Sequence, residues 1–225
     1  MKIELISYSK PNVDLIENMT GLVAFCARVS NPDNQANKET SEKLIRYLIR
    51  NAHWSPLEMV SMCLEIETTR DIARQMLRHR SFSFQEFSQR YANPISVKYL
   101  DFTVREARLQ DAKNRQNSIE LDLTNAKHRE LNDLWVEKQQ NIIRASKEAY
   151  AWAISNGIAK EQARAVLPEG NTVSRLYMNG TLRSWLHYIA LRSGHGTQKE
   201  HVEIAKCCAA VIAKVFPMAT EFVAS

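Results

Sequence analysis

The stretch from about Ala126 to Ser155 constrains the fold most. Leu131, Leu134, Trp135, Ile142, Ala145, Ala149, Trp152 and Ala153 form an apolar stripe at helical spacing, and Asn156-Gly157 supplies a C-cap. A helix of about 30 residues is about 45 Å long. A small monomer cannot comfortably cover that length, so the stripe predicts contacts between subunits.

The remaining pattern alternates strands with helices. Ile3–Tyr8 alternates weakly and predicts a strand, and Asp14–Arg28 carries helical spacing through Leu15, Met19, Leu22, Val23 and Cys26. Glu39–Asn51 is an amphipathic helix, and Pro56 makes a bend of His53-Trp54-Ser55-Pro56-Leu57-Glu58. Val60, Met62, Leu64 and Ile66 alternate with polar neighbours as a half-buried strand. Thr69 is an N-cap for a helix from Arg70 to about Arg78, which places Gln75 and Arg78 on one face. Ile95–Leu100 reads as a strand, and Asp101–Arg129 as a charged excursion, either helical or a mobile loop. Lys160–Val166 reads as a short helix, Thr172–Met178 as a strand and Asn179-Gly180 as a turn. Thr181 with Ser184 caps a helix to about Arg192, and Gln198–Phe216 is the last helix. No internal repeat or linker divides the chain, so residues 1–225 are expected to form one mixed α/β domain.

Composition narrows the function classes. The formal charge of +5, from 30 basic and 25 acidic residues, is mild and mixed along the chain. It suits anionic ligands and does not by itself indicate nucleic acid. The four cysteines show no Cys-x-x-Cys spacing and no pairing with histidines at metal-ligand intervals, so no metal site is expected. They read as reduced thiols of a cytoplasmic protein. The N-terminal apolar run is too short for a signal peptide, and no apolar stretch approaches the roughly 20 residues of a membrane span. There is no glycine-rich phosphate loop, so any bound nucleotide must have its phosphates held by side chains.

One run is richest in chemistry: Arg78-His79-Arg80-Ser81-Phe82-Ser83-Phe84-Gln85-Glu86-Phe87-Ser88-Gln89-Arg90-Tyr91. It has no clean period of two or 3.6 and is expected to be a shaped loop leaving a helix. Arginine bonds carboxylate or phosphate through two N–H groups of its fixed fork. Short hydroxyls and phenyl rings complete a surface suited to a flat ring system carrying an anion. A solvated basic surface would have the same composition.

The spacing Arg-His-Arg, two residues, Ser, four residues, Ser, one residue, Arg resembles the signature of the flavin-dependent thymidylate synthases without a mismatch. The bend His53–Glu58 is similar to that family's His-x-Ser/Thr-Pro-x-Glu, and Ala163-Arg164-Ala165-Val166-Leu167-Pro168 to its Ala-Arg-x-x-Leu-Pro. The resemblance runs through nearly the whole chain, except Asp101–Arg129. It implies helices around a mixed, largely antiparallel sheet, an α/β (α+β) class. It also implies a homotetramer with active sites between subunits. The implied reaction is reductive methylation of dUMP to dTMP, with 5,10-methylenetetrahydrofolate as carbon donor, FAD as hydride carrier and NADPH as reductant. No nucleic acid or membrane partner is implied.

By the same resemblance, Gln75, Arg78, Glu86, Phe87, Ser88, Gln89, Arg90 and Arg164 line the dUMP site, and Arg192 at a helix end activates the base. Ser55, Arg78, His79, Arg80, Glu86, Thr181, Leu182, Arg183 and His187 hold FAD. The chain departs from the family pattern at Thr181 and His187, where Asn is usual, and at Gly196, where the usual histidine is displaced to His195. From chemistry alone, Arg192 would complement its helix dipole or stabilise charge developing on a pyrimidine edge. Two other functions compete. Phe82, Phe84, Phe87 and Tyr91 could stack bases of a single-stranded RNA while the arginines take phosphates. Ser88 could be a nucleophile, but no general base stands near it in sequence.

Overall fold

The computed structural model of the chain describes residues 2–95 and 101–224. In chain order the elements are β1 (Lys2–Tyr8), α1 (Met19–Ala27), α2 (Ser41–Arg50), β2 (Ser61–Thr69), α3 (Arg70–Met76), β3 (Phe82–Glu86), β4 (Arg108–Gln110), β5 (Ser118–Glu120), α4 (Ala126–Ser155), α5 (Lys160–Ala163), β6 (Val173–Thr181), α6 (Leu182–Arg192) and α7 (Lys199–Ile212). The main sheet has the order β1-β2-β6-β3, and each of its pairings is antiparallel. The strand expected at Ile95–Leu100 lies outside the described residues, apart from Ile95 itself.

One face of the sheet makes the core. Met62, Leu64 and Ile66 of β2 and Leu176 and Met178 of β6 point the same way, as the two-residue period of a strand requires. They share a cluster with Ile72 and Met76 of α3, Trp185 and Ile189 of α6, and Ile204, Cys208 and Ile212 of α7. Fully burying each large aliphatic side chain contributes about 1.5–3 kcal/mol. The opposite face is polar, with Glu67 of β2 bonded to Arg175 of β6 at 2.6 Å.

The structure changes several expectations. The run from Arg78 to Tyr91 is not a free loop, because residues 82–86 form edge strand β3. Phe82 and Phe84 are half-buried while Ser83 and Gln85 are exposed, so a period of two was present beneath the crowded polar residues. Helix α3 ends at Met76, so Gln75 lies in its last turn and Arg78 lies beyond it. Thr69 occupies the N-cap, but its hydroxyl donates to Asp71 and makes no cap bond. Helix α1 starts only at Met19, where Asn18 accepts from the Gly21 N–H at 2.8 Å. The last helix is shorter than its pattern, ending at Ile212.

The charged excursion is neither helix nor featureless loop. It contains the β4–β5 hairpin, which charge pairs dock onto α7: Lys199 reaches Glu106 at 2.8 Å and Glu120 at 2.6 Å, and Arg108 pairs with Glu200. Helix α4 spans the expected residues, and Gly157 just past it has φ +77°, the left-handed conformation of a helix stop. Of the residues named in the apolar stripe, only Ala153 is buried. Gln139, Ser146, Tyr150 and Ala153 face inward, while Leu131, Leu134, Trp135, Ile142 and Trp152 remain 44–62% exposed.

Asn179-Gly180 is not a turn but the end of β6, where Gly180 pairs with Met62 on one side and Phe82 on the other. The glycine serves a close approach. A Cβ there would meet the Phe82 ring at 2.5 and 2.7 Å. The ring is held from its far side by Trp185, 4.9 Å away and edge-on, whose indole N–H donates to the Met62 carbonyl at 3.1 Å. Gly180→Ala should therefore destabilise the fold by about 1–3 kcal/mol through overpacking. Thermal denaturation measures this, and a second change, Phe82→Leu, should recover part of the loss. An unchanged midpoint in Gly180→Ala would mean that the Phe82 ring yields freely.

Candidate active site

Helix α6 is organised by its cap. The Thr181 hydroxyl accepts from the Ser184 N–H at 3.3 Å, and the Ser184 hydroxyl donates to the Ser81 carbonyl at 3.3 Å. The start of α6 is thus bonded to the backbone beside Arg80. The 3-10 turn Ser55–Glu58 meets the same surface. The Trp54 ring packs edge-on to His187 at 4.3 Å, and Glu58 pairs with Arg183. Burial, then the nearby Arg183, holds the His187 imidazole below its usual pKa. The turn that starts at Ser55 and the backbone next to Arg80 therefore both meet the first turns of α6, which carry Thr181, Arg183 and His187. Leu182 differs: its side chain is fully buried in the core, because the first residue of α6 faces the sheet. Only its backbone is left to meet a ligand.

At the other end of α6, Arg192 donates from Nε to His79 Nε2 at 2.8 Å. An acceptor nitrogen requires a neutral imidazole with its proton on Nδ1. Burial, then the charges of Arg192 and Arg78, pushes the His79 pKa down to about 4, so the ring is neutral near pH 7. The Nε bond fixes the guanidinium plane and leaves its terminal fork without a hydrogen bond among the described residues. Gln75, half-buried, stands close by and bonds through the buried His201 to Tyr188, with Gln198 on its other side.

The other expected dUMP residues lie elsewhere. Glu86 ends β3 opposite Leu176. One of its oxygens accepts from Ser174 at 2.8 Å and meets Arg70 at 3.3 Å. Phe87 extends the pairing, its N–H bonding the Arg175 carbonyl at 2.8 Å, and Gln89 is buried. Arg90 pairs with Glu161 at 3.2 Å, and Arg164 Nε donates to the Glu161 carbonyl at 3.3 Å. Arg90 and Arg164, far apart in sequence, thus converge on one residue. The Ser88 hydroxyl accepts from the Arg90 N–H at 3.3 Å and has no base beside it among the described residues.

Two half-sites result. Gln75, Arg78, His79 and Arg192 gather before the start of β3, and Glu86 to Arg90 with Arg164 gather after its end. Strand rise puts those ends about 13 Å apart. Three residues that matter here were not singled out in the sequence. Tyr188 stands four residues before Arg192, on the same helical face, and His201 lies on the α7 stripe with Ala205 and Cys208. Those spacings carry the signal. Glu161 gave none, since only the fold brings it to Arg90. His195 is exposed on its loop, and the neighbouring Gly196 has φ +81°.

The donor set fits a dinucleotide. Arg78 and Arg80 are exposed and make no hydrogen bond or ion pair among the described residues. Arg183 Nε is buried without a partner while another of its nitrogens holds Glu58. An unpaired guanidinium such as Arg80, next to the residue that bonds the start of α6, is what a pyrophosphate needs in place of a glycine loop.

Residues 13–218 match the family described as thymidylate synthase complementing protein. The chain is 45% identical over 221 residues to a probable flavin-dependent thymidylate synthase of Paramecium bursaria Chlorella virus 1, covering 96% of each. It is 46% identical over 220 residues to a flavin-dependent thymidylate synthase of a Synechocystis strain, again covering 96% of each. Among solved structures, it is similar to a UMP/dUMP methylase, PolB, from Streptomyces cacaoi bound with 5-Br UMP, at 27% identity and a TM-score of 0.78, over 98% of this chain and 92% of that one. With its antiparallel sheet, its Arg192–His79 pair and these likenesses, the chain belongs to the family of the flavin-dependent thymidylate synthases.

Proposed function

We propose that this protein is a flavin-dependent thymidylate synthase that converts dUMP to dTMP. 5,10-Methylenetetrahydrofolate supplies the carbon and NADPH the electrons, and bound FAD passes hydride between the partners. The observation that carries the reading is the Arg192 guanidinium, held at Nε by a neutral His79 with its fork unoccupied. Before C5 of uracil can attack a one-carbon unit, electron density must move onto the ring. Negative charge then builds on the pyrimidine edge, and a guanidinium fixed in advance stabilises it without reorganising.

The remaining roles follow from position. Arg78, His79, Arg80 and Glu86, with Ser55, Thr181, the Leu182 backbone, Arg183 and His187, hold FAD. Arg90 and Arg164 bind the dUMP phosphate, which displaces the Glu161 contact. Ser88 and Gln89 orient the nucleotide, and Ser88 is not a covalent nucleophile. The two clusters lie at opposite ends of β3, and in this reading Gln75, Arg78 and Arg192 of one subunit complete the site with residues 86–90 and Arg164 of another. The exposed apolar residues of α4 support that assembly as a homotetramer. Residues 1–225 act as one catalytic domain with the hairpin excursion docked on it. No described helix is long and apolar enough to cross a membrane. The four free cysteines suit a cytoplasmic setting. Base stacking by an RNA has no support, since Phe82 and Phe84 are turned against the core.

Arg78→Ala and Arg80→Ala should each weaken FAD by about 1.5–3 kcal/mol, the worth of a charge-assisted hydrogen bond. A flavin titration of both variants tests this, and wild-type affinity in both would remove them from the cofactor site. Arg192→Lys keeps the charge but loses the planar fork. It should fold, bind FAD and lose about two to three orders of magnitude in dTMP formation. Single-turnover dTMP formation with prereduced enzyme is the measurement, so that slow flavin reduction cannot imitate the defect. A rate within a factor of about three of wild type would return Arg192 to a helix-capping role.

A further inference from the structure

Behind Gln75 lies a buried relay whose proton positions can be worked out. His201, in the first turn of α7, is fully buried, and Tyr188 is 1% exposed. His201 Nδ1 is 3.2 Å from Gln75 Oε1, and its Nε2 is 3.0 Å from the Tyr188 hydroxyl. On the other side, Gln75 Nε2 donates to Gln198 Oε1 at 2.9 Å. Burial, then Arg192 and His79, pushes the His201 pKa down to about 3, so the ring carries a single N–H at neutral pH.

Two arrangements of that proton are possible, and they are not equivalent. With the proton on Nδ1, His201 donates to Gln75 Oε1, and the Tyr188 hydroxyl donates to Nε2. Every buried group is then satisfied. With the proton on Nε2, His201 would donate to Tyr188, and Gln75 would have to turn its NH2 group toward Nδ1. The Tyr188 hydroxyl hydrogen would then have no acceptor among the described residues, and an unpaired buried hydroxyl is costly. The phenol therefore selects the tautomer, and the tautomer selects the amide orientation. Gln75 Oε1 is consumed inside the relay. Its NH2 group faces outward, with one hydrogen on Gln198 and one unused.

We infer that Tyr188 and His201 are positioning residues that lock the Gln75 amide, so that it offers an N–H, and not its carbonyl, to an acceptor oxygen of the nucleotide. The inference rests on the reading of Gln75 as a dUMP residue. Tyr188 has a second, separable duty. The His79 ring packs edge-on against the Tyr188 ring at 5.0 Å, so the phenyl supports the partner of Arg192 while the hydroxyl sets Gln75.

That separation supplies the test. Tyr188→Phe keeps the ring and removes the hydroxyl. His201→Asn keeps an N–H at the place of Nδ1, and His201→Leu removes it. Each is made with and without Gln75→Ala, loaded with FAD, and titrated with dUMP in a calorimeter alongside a flavin titration. Tyr188→Phe and His201→Leu should raise the dUMP Kd by about three- to tenfold, the range of one neutral hydrogen bond. FAD affinity should stay within about twofold and His201→Asn within about threefold of wild type. In the Gln75→Ala background the effects of Tyr188→Phe and His201→Leu should shrink to less than about twofold, because residues acting through one another are not additive. Unchanged dUMP affinity in Tyr188→Phe overturns the inference, as does an equal loss with and without Gln75. If His201→Leu does not fold, Tyr188→Phe decides alone. Wild-type holoenzyme that binds FAD but no dUMP overturns the proposed function, and this inference with it.

Discussion

The close contact of Phe82 with Gly180 is the constraint on which the site depends. Strand β3 is an edge strand, paired only with β6 in the sheet order. Edge strands slip in register more easily than central ones, and a one-residue slip would turn every side chain to the other face. The phenyl ring lies where a Cβ would stand at Gly180, with Trp185 behind it. No neighbouring register offers the same gap, since Asn179 and Thr181 both carry side chains. The ring therefore pins β3, and both half-sites hang from its two ends. His79 and Arg80 precede it by a few residues, and Glu86 to Arg90 end or follow it.

Electrostatics then sorts the arginines into two kinds. Arg70, Arg105, Arg108 and Arg175 are tied to Glu86, Asp71, Glu200 and Glu67, and they brace the fold. Arg78 and Arg80 make no such pair among the described residues, and Arg90 is held only by an exposed contact to Glu161. Exposed pairs are worth at most about 1 kcal/mol, so Arg90 can leave Glu161 at small cost. Arg192 is intermediate. Its partner is a neutral imidazole, which fixes its direction and leaves its charge uncompensated. A carboxylate in that place would have neutralised that charge.

The long helix shows a different compromise. Its inward face relies on Tyr150, Ala153 and the polar Gln139, which bonds the Arg105 backbone and Asn171. Its large apolar residues remain outside. Exposed aromatic and aliphatic groups along one helix mark a surface that another protein surface covers. The residue clusters at the two ends of β3 and the exposed apolar side of α4 are the features on which the proposed subunit assembly rests.

Local chemistry was legible in the sequence. The limits of α4 and α6, the bend at Pro56, the alternation of β2 and the cap at Thr181 depend on residues close together in the chain, whose preferences act before any tertiary contact forms. The candidate site residues were named from motif spacing, which records residue order and not contact. Long-range partnership was not legible. Gly180 looks like turn chemistry until Phe82 is laid across it, and Arg78–Tyr91 looks like a loop until β6 pairs with part of it. Leu182 stands within a binding motif, yet the turn of α6 sends its side chain into the core. The large residues of the α4 stripe stay exposed because the inward face is taken by Gln139, Ser146, Tyr150 and Ala153. Periodicity tells which residues share a face, and only packing decides what that face meets. The same holds for protons: composition supplies His79, Tyr188 and His201, burial keeps the two imidazoles neutral, and their hydrogen-bond partners decide which nitrogen carries the hydrogen.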